Sequence, residues 1–401
     1  MNYQIETAKN GEATLLLNNI YIYSKYNPRI DARKFIANEY DENAKGYFLV
    51  GLGLGYHLEA LLELDKGKPI IVLALDHKEL KICPPIFQME QHKNVDIIIS
   101  LESHVNLSQY KVIIPNPWMK AIGYEHKLHD VLEDIKIRQM SYAALAGELE
   151  KNFQSNRKNY DCSISEFKDD FQGQSACLVS AGPSLDDTIE LLKETKEKCF
   201  ILAVGSALNT LMKNDIEPNA VIITDTQMNV VNQLENKGYK GLLFYLATAN
   251  HEMTRVHKGR KVIIYQEGYL LSENEAKARN EDVLETGGSV ATTAFSLLEY
   301  MGFQNVILFG QDLGFKDYNT HSISSSSGNK VINGISFRRV LANNGEYIHT
   351  TANLSAYLRW FERKTRVTSV RLYNTSWEGA KIKGIPYLDA MSLKDKLNFL
   401  K

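Results

Sequence analysis

The strongest constraint on how this chain folds is an alternation that occurs twice. Short apolar runs of five to seven residues, rich in β-branched side chains, are separated by stretches with helical spacing of apolar residues. The first series is YFLVGL (47–52), PIIVLAL (69–75), DIIIS (96–100) and KVIIP (111–115). The second is ACLVS (176–180), CFILAVG (199–205), AVIIT (220–224), GLLFYLA (241–247), KVIIY (261–265) and NVILFG (305–310). Runs that are apolar at nearly every position suit strands covered on both faces, and strands joined through helices pair in parallel. The chain is therefore predicted to be α/β, built on mostly parallel sheet.

Residues 126–160 lie between the two series, carry no proline and place apolar residues at helical spacing, so a long connecting helix is predicted there. The predicted organisation is an N-terminal Rossmann-like domain (1–125), a helical linker (126–165), a central domain (166–345) and a helical C-terminal region (346–401). In the last of these, 351–366 and 391–400 read as helices, while the polar stretch 322–337 reads as a mobile loop. At 401 residues, 44% apolar and 23% charged, the chain can bury full cores. A net charge of −2, from 46 basic and 48 acidic residues, argues against a broad nucleic-acid surface. No run approaches the ~18 apolar residues of a membrane helix. The opening MNYQIETAKNGEATLLL reads as lacking a signal peptide. Four cysteines without metal-site spacing, two of them (Cys177 and Cys199) in strand-like runs, suit a reduced, cytoplasmic protein.

The motifs that suggest chemistry fall after the strands of the second series. In open α/β sheets, ligands bind beyond the carboxyl ends of the strands. SAGPSL (180–185) turns from strand to helix through Ala181, Gly182 and Pro183, with Ser184 predicted as the N-cap and Asp187 completing a capping box. A helix start of this kind points free N–H groups at an anion, and small residues let a phosphate approach the backbone. Equivalent positions hold Ser206 in VGSAL, Asp225 in VIITDTQ, and Gln311 and Asp312 in FGQDLG. The loop Thr286, Gly287, Gly288 and Ser289 opens a further helix and forms a second nest for phosphate or ribose. The alternative reading of each is a well-made turn. Their number points to a nucleotide-type pocket. The chain has no GxxxxGK[ST] phosphate loop and no Asp-x-Asp pair to hold a diphosphate-bound metal. No cofactor is predicted to be required, although a divalent metal such as Mg is compatible with one acid plus phosphate oxygens.

SAGPSLDD, IEPNAVIITD, ETGGSVATTAFSLLEYMGFQNVILFGQDLGF and WEGAKIKG, together with the N-terminal YSKYNPRIDARKFI and VGLGLGYHLEAL, resemble the motility-associated factor (Maf) family of flagellin glycosyltransferases. The resemblance runs from about residue 20 to about 387. The central domain of that family is related to an archaeal 6-hydroxymethylpterin pyrophosphokinase and, more remotely, to bacterial sialyltransferases that use CMP-sialic acid. The resemblance implies a sialyltransferase-like variant of the GT-A fold in the centre. It also implies transfer of a nonulosonic acid, pseudaminic or legionaminic or a related sugar, from its CMP form to Ser or Thr of flagellin, in support of flagellar assembly and motility. Ala181, Gly182, Pro183, Ser184, Ser206, Asp225, the 286–289 loop and Gln311–Asp312 would hold the CMP moiety. Two positions depart from the sialyltransferase pattern. Ala181 stands where asparagine is usual, and Leu313–Gly314 stand where a tyrosine follows the aspartate; Tyr318, downstream, is the candidate to assist the departing phosphate.

Breaking the bond from the anomeric carbon to CMP develops negative charge on phosphate, which preorganised N–H and hydroxyl groups stabilise. A general base for the acceptor hydroxyl is sought in His321, just past the FGQDLG motif, with His251 next. Three other functions stay open: a pterin pyrophosphokinase using ATP, a methyltransferase using S-adenosylmethionine at Gly51, Gly53, Gly55 and Asp76, and a non-catalytic flagellin-binding factor. At the C-terminal end, Lys381 and Lys383 of WEGAKIKG face either the sugar carboxylate or solvent.

Overall fold

A computed structural model describes residues 1–83, 92–100, 110–123, 126–316, 319–327 and 337–399. The chain divides into two compact units, Met1–Ser141 and Tyr142–Lys401.

The first unit opens with an antiparallel meander, β1 (Tyr3–Thr7), β2 (Ala13–Leu17) and β3 (Ile20–Tyr21), followed by α1 (Pro28–Glu39). Then come β4 (Tyr47–Val50), α2 (Tyr56–Leu64), β5 (Ile70–Leu73), α3 (His77–Ile82), β6 (Val95–Ile98), β7 (Lys111–Ile113) and α4 (Asn116–Ile122). The four strands β4–β7 form a parallel sheet in the order β6-β5-β4-β7. This is the Rossmann-like arrangement expected from the sequence. Helix α5 (Lys127–Asn156) is the long helix predicted between the two series.

The second unit contains β8 (Cys162–Ser163), β9 (Ser175–Val179), α6 (Ser184–Thr195), β10 (Phe200–Val204), α7 (Leu208–Lys213), β11 (Ala220–Ile223), β12 (Leu242–Leu246), α8 (Met253–Val256) and β13 (Lys261–Gln266). It continues with α9 (Leu270–Arg279), β14 (Val283–Leu284), α10 (Val290–Tyr300), β15 (Asn305–Phe309), β16 (Arg338–Leu341), β17 (Tyr347–Thr350), α11 (Ala352–Lys364), β18 (Arg371–Asn374) and α12 (Ala390–Phe399). The main sheet runs β14-β13-β12-β11-β10-β9-β15-β18, with β8 also on β13, and its pairings are all parallel. Every residue of β9, β11 and β15 is buried, as strands with helices on both faces require. The C-terminal region supplies not only helices: β18 completes the sheet beyond β15, and its short run, with Arg371 at one end and Asn374 at the other, escapes a reading by hydrophobic pattern.

Chain order and sheet order part at β9. From β9 the chain steps outward through β10 to β14, then returns to lay β15 on the other side of β9. The crevice beyond the carboxyl ends of β9 and β15 is thus the topological switch point of the sheet.

Candidate active site

The loops after β9 and β15 are bonded to each other across the switch point. Ser180 N–H donates to the Phe309 carbonyl at 2.8 Å, and Gly182 N–H to the Gly310 carbonyl at 2.9 Å. The Ser180 hydroxyl donates to Gln311 Oε1 at 2.6 Å. Ser184 N–H and hydroxyl both reach Asp312 Oδ2, at 3.2 and 3.0 Å, and the same hydroxyl lies 2.8 Å from that of buried Ser376. Thr375 and Ser376 follow β18, so loops beyond β9, β15 and β18 close on one carboxyl group.

This geometry answers why the turn at 180–185 is built from tiny residues. A Cβ on Gly182 would lie 2.5 Å from the Gly310 carbonyl and closer still to the Asp312 carboxylate. A Cβ on Gly379 would come within 3.0 Å of Asp312 Cα. The close approach that Gly182 allows is that of the protein's own Asp312. The N-cap assignment is corrected as well. Pro183 occupies the N-cap, and Ser184 is the first helical residue, its hydroxyl committed to Asp312 and Ser376 rather than to the helix start. Burial pushes the Asp312 carboxyl up to about 7, against the hydrogen bonds from Ser184 that favour its charged form.

His321 lies at the same edge. The next residue, Ser322, donates its N–H to the Ala181 carbonyl at 2.9 Å, and Ile323 N–H donates to Asp186 Oδ2 at 2.9 Å. Ser326 N–H and the Ser325 hydroxyl reach the Ser206 carbonyl at 3.3 and 3.2 Å. The segment Ser322–Ser326, expected to belong to a mobile loop, is pinned over the ends of β9 and β10. Half-buried His321 holds Nδ1 at 2.9 Å from the Thr320 hydroxyl. Tyr318 lies outside the described residues.

A second group gathers around β11. Asp225 accepts the Gln227 N–H at 3.0 Å. Tyr357 of α11, missed by sequence reasoning, lies beside the 286–289 loop: a Cβ on Gly288 would be 3.5 Å from its ring. Burial, reinforced by the Asp225 charge, raises the Tyr357 hydroxyl pKa. Its one signal in the sequence was membership of an amphipathic helix, which does not say which residue meets the sheet edge. Ser289 caps α10 in a full capping box with Thr292, and α10 packs on β9, β10 and β11, which sets the 286–289 loop at the carboxyl edge. Gly287 is held against Trp360 and Thr292, where a Cβ would lie 2.7 and 2.6 Å away.

His251 is placed differently. Its Nδ1 is 2.7 Å from Asn152 Oδ1 and its Nε2 is 3.1 Å from Glu252 Oε1. Asn152 and Asn156, in the last turns of α5, donate to the carbonyls of Thr226, Thr248, Ala247 and Ala249. These irregular loops after β11 and β12 thereby satisfy their buried carbonyls, and His251 belongs to that scaffold.

In the first unit, Gly51, Gly53 and Gly55 have positive φ, of 85°, 53° and 80°. Their surroundings are filled by protein. A Cβ on Gly51 would collide with the Trp118 ring, and one on Gly53 would lie 2.7 Å from the Tyr23 hydroxyl. Buried Glu79 accepts the N–H groups of Gly53 and Leu75, and Asp76 caps α3. Among the described residues, metal-compatible spacing occurs at His129, Asp130 and Glu133 of this unit, not at the edge of the main sheet.

Residues 148–318 match the sequence model of a family described as 6-hydroxymethylpterin diphosphokinase MptE-like. An uncharacterized protein of Treponema pallidum (strain Nichols) is 34% identical over 104 residues, covering 21% of this chain and 36% of that protein. The match thus spans about a third of that relative's length. The solved structure of the MAf glycosyltransferase from Magnetospirillum magneticum AMB-1 aligns with 100% of this chain and 73% of its own, at 17% identity and a TM-score of 0.56, a likeness of fold. No helix among the described residues is long and apolar enough to cross a membrane. These findings bear out the resemblance drawn from the motifs as far as they reach: residues 148–318 match the MptE-like family, and the fold is similar to that of a solved MAf glycosyltransferase.

Proposed function

We propose that this protein is a glycosyltransferase that moves a nonulosonic acid, pseudaminic or legionaminic or a related sugar, from its CMP donor to Ser or Thr of flagellin. The observation that carries the reading is the switch-point crevice. Three loops close there on a buried carboxyl poised near neutrality, with His321 on the segment bonded to Ala181. In this reading the donor phosphate meets the Ser180–Ser184 turn and Ser206, while Asp225, Tyr357 and the 286–289 loop take the nucleoside. Asp312 is a positioning residue, acting through the Ser184 and Ser376 hydroxyls. His321 removes the proton of the acceptor hydroxyl as it attacks the anomeric carbon, and CMP departs with the bonding pair. Incubation with recombinant flagellin and several CMP-activated sugars, followed by intact-protein mass, tests this; no mass increase with any donor defeats it. His321→Ala should lower transfer by ~10²–10⁴-fold, the range of a positioned general base, while leaving stabilisation by CMP intact.

The MptE-like match favours a second reading, pyrophosphoryl transfer from ATP to a pterin. A thermal-shift comparison separates the two, because the true nucleotide stabilises by mass action: CMP supports the first, ATP the second. The filled glycine turn of the first unit disfavours a methyltransferase.

A further inference from the structure

Beside the switch point, the antiparallel pair β16–β17 leaves one edge open among the described residues. Val340 of β16 lies opposite Ile348 of β17. On the other side of β16, residues 379–381 run alongside only briefly. Ala342 faces Ala380, Asn343 N–H donates to the Gly379 carbonyl at 3.0 Å, and Lys381 N–H to the Leu341 carbonyl at 2.8 Å. Then the two segments part. Peptide groups of alternate residues in a paired strand point to the same side, so Arg339, like Leu341, turns its N–H and C=O away from β17. Among the described residues, the Leu341 N–H and both Arg339 groups have no backbone partner.

Where the segments part, a groove of about 640 Å³ opens, lined by Leu358, Ile382, Ile385, Lys381, Lys383 and Glu362 among others, with the Lys383 N–H donating to Glu362 Oε1 at 3.2 Å. Leu358, Ile382 and Ile385 are 8%, 1% and 4% exposed, which makes an apolar floor. Lys381 and Lys383 are exposed on the rim, and neither forms an ion pair among the described residues. The segment that forms one wall leads to the candidate site: Ala380 N–H donates to the Asp312 carbonyl at 2.7 Å.

An open strand edge, an apolar floor and a basic rim are together the recognition elements for an extended polypeptide added as a strand. We infer that this groove docks the acceptor polypeptide, pairing its main chain with Arg339 and Leu341, setting apolar side chains on the floor and an acidic side chain against Lys381 and Lys383. This rests on the proposed transfer to a polypeptide hydroxyl.

The test uses the full chain and a pool of fluorescent peptides of about ten residues, apolar at alternate positions and flanked by either aspartate or lysine. A third set carries the aspartate flanks and N-methylated main-chain amides. Anisotropy should show binding of the aspartate set, weakened roughly tenfold or more by N-methylation and by Lys381→Glu with Lys383→Glu. Hydrogen exchange should slow at the amides of Arg339 and Leu341. Absence of binding, indifference to N-methylation or to charge reversal, or protection confined to another surface overturns the inference. Thermal shift with CMP is read on the same variants. Retained CMP stabilisation without peptide binding removes the groove assignment alone, whereas peptide binding without CMP stabilisation or sugar transfer removes the glycosyltransferase reading alone.

Discussion

Replacing Gly182 by alanine would drive a methyl group into the Asp312 carboxylate and to 2.5 Å from the Gly310 carbonyl. Overpacking of that kind costs ~1–3 kcal/mol, so denaturant titration should show a clear loss of stability, accompanied by loss of the proposed sugar transfer because both switch-point loops must shift. An unchanged midpoint would mean that the loops do not pack as described. Asp312 itself carries a pH signature. Its carboxyl is raised from 3.8 to about 7 in the fold. Folding therefore favours the neutral form, and the stability it contributes is full below the unfolded value and lost as pH climbs through the folded one. Asp312→Asn has no charge to desolvate. Its midpoint relative to the parent should move in its favour between about pH 4 and about pH 7, and a constant gap would exclude titration of this group in that window. At this scale the sequence was readable in kind but not in cause. GPSL and GQD were recognisable as a pair of motifs, yet that Gly182 serves Asp312, and that Ser184 is bonded sideways rather than capping, depends on loops 128 residues apart.

Helix α10 shows what local sequence can specify. GGSVAT places a left-handed glycine at φ 90°, then a Ser289–Thr292 capping box, before an apolar stretch. Ser289→Ala should cost about 1 kcal/mol in denaturant-induced unfolding of the second unit, with a larger fractional effect on nucleotide affinity if the 286–289 loop lines the pocket. A loss below the noise of the titration would show that packing on the sheet holds the helix start without its cap. Other elements were less legible. The two-residue β14 and the hairpin β16–β17 are too short or too polar to announce themselves by period. Strand β18, RLYN, exists because the edge of β15 is there to receive it.

At the scale of the whole molecule, two buried carboxyls among the described residues stand near neutrality, one in each compact unit. Glu79 is raised from 4.5 to about 7, burial outweighing the backbone N–H groups of Leu75 and Gly53 that favour its charged form. The sign is that of Asp312: stability from this group is present in acid and lost as pH rises through its folded value. Glu79→Gln should flatten the pH dependence of the denaturation midpoint between about pH 4.5 and about pH 7, and a slope equal to the parent's would place the dependence elsewhere. The sequence alone determined the α/β class, the long helix, the strands of the first parallel sheet and the long apolar strands of the second, because burial on two faces writes continuous apolar runs into the chain. It also placed most candidate residues at strand ends, since an apolar run must stop where the strand leaves the core. Only the tertiary structure decided which strand ends are neighbours. The return of β15 to the far side of β9, the closing of three distant loops on Asp312 and the approach of Tyr357 to Gly288 follow from how layers pack. Contacts between residues far apart in the chain leave no periodic trace in either partner.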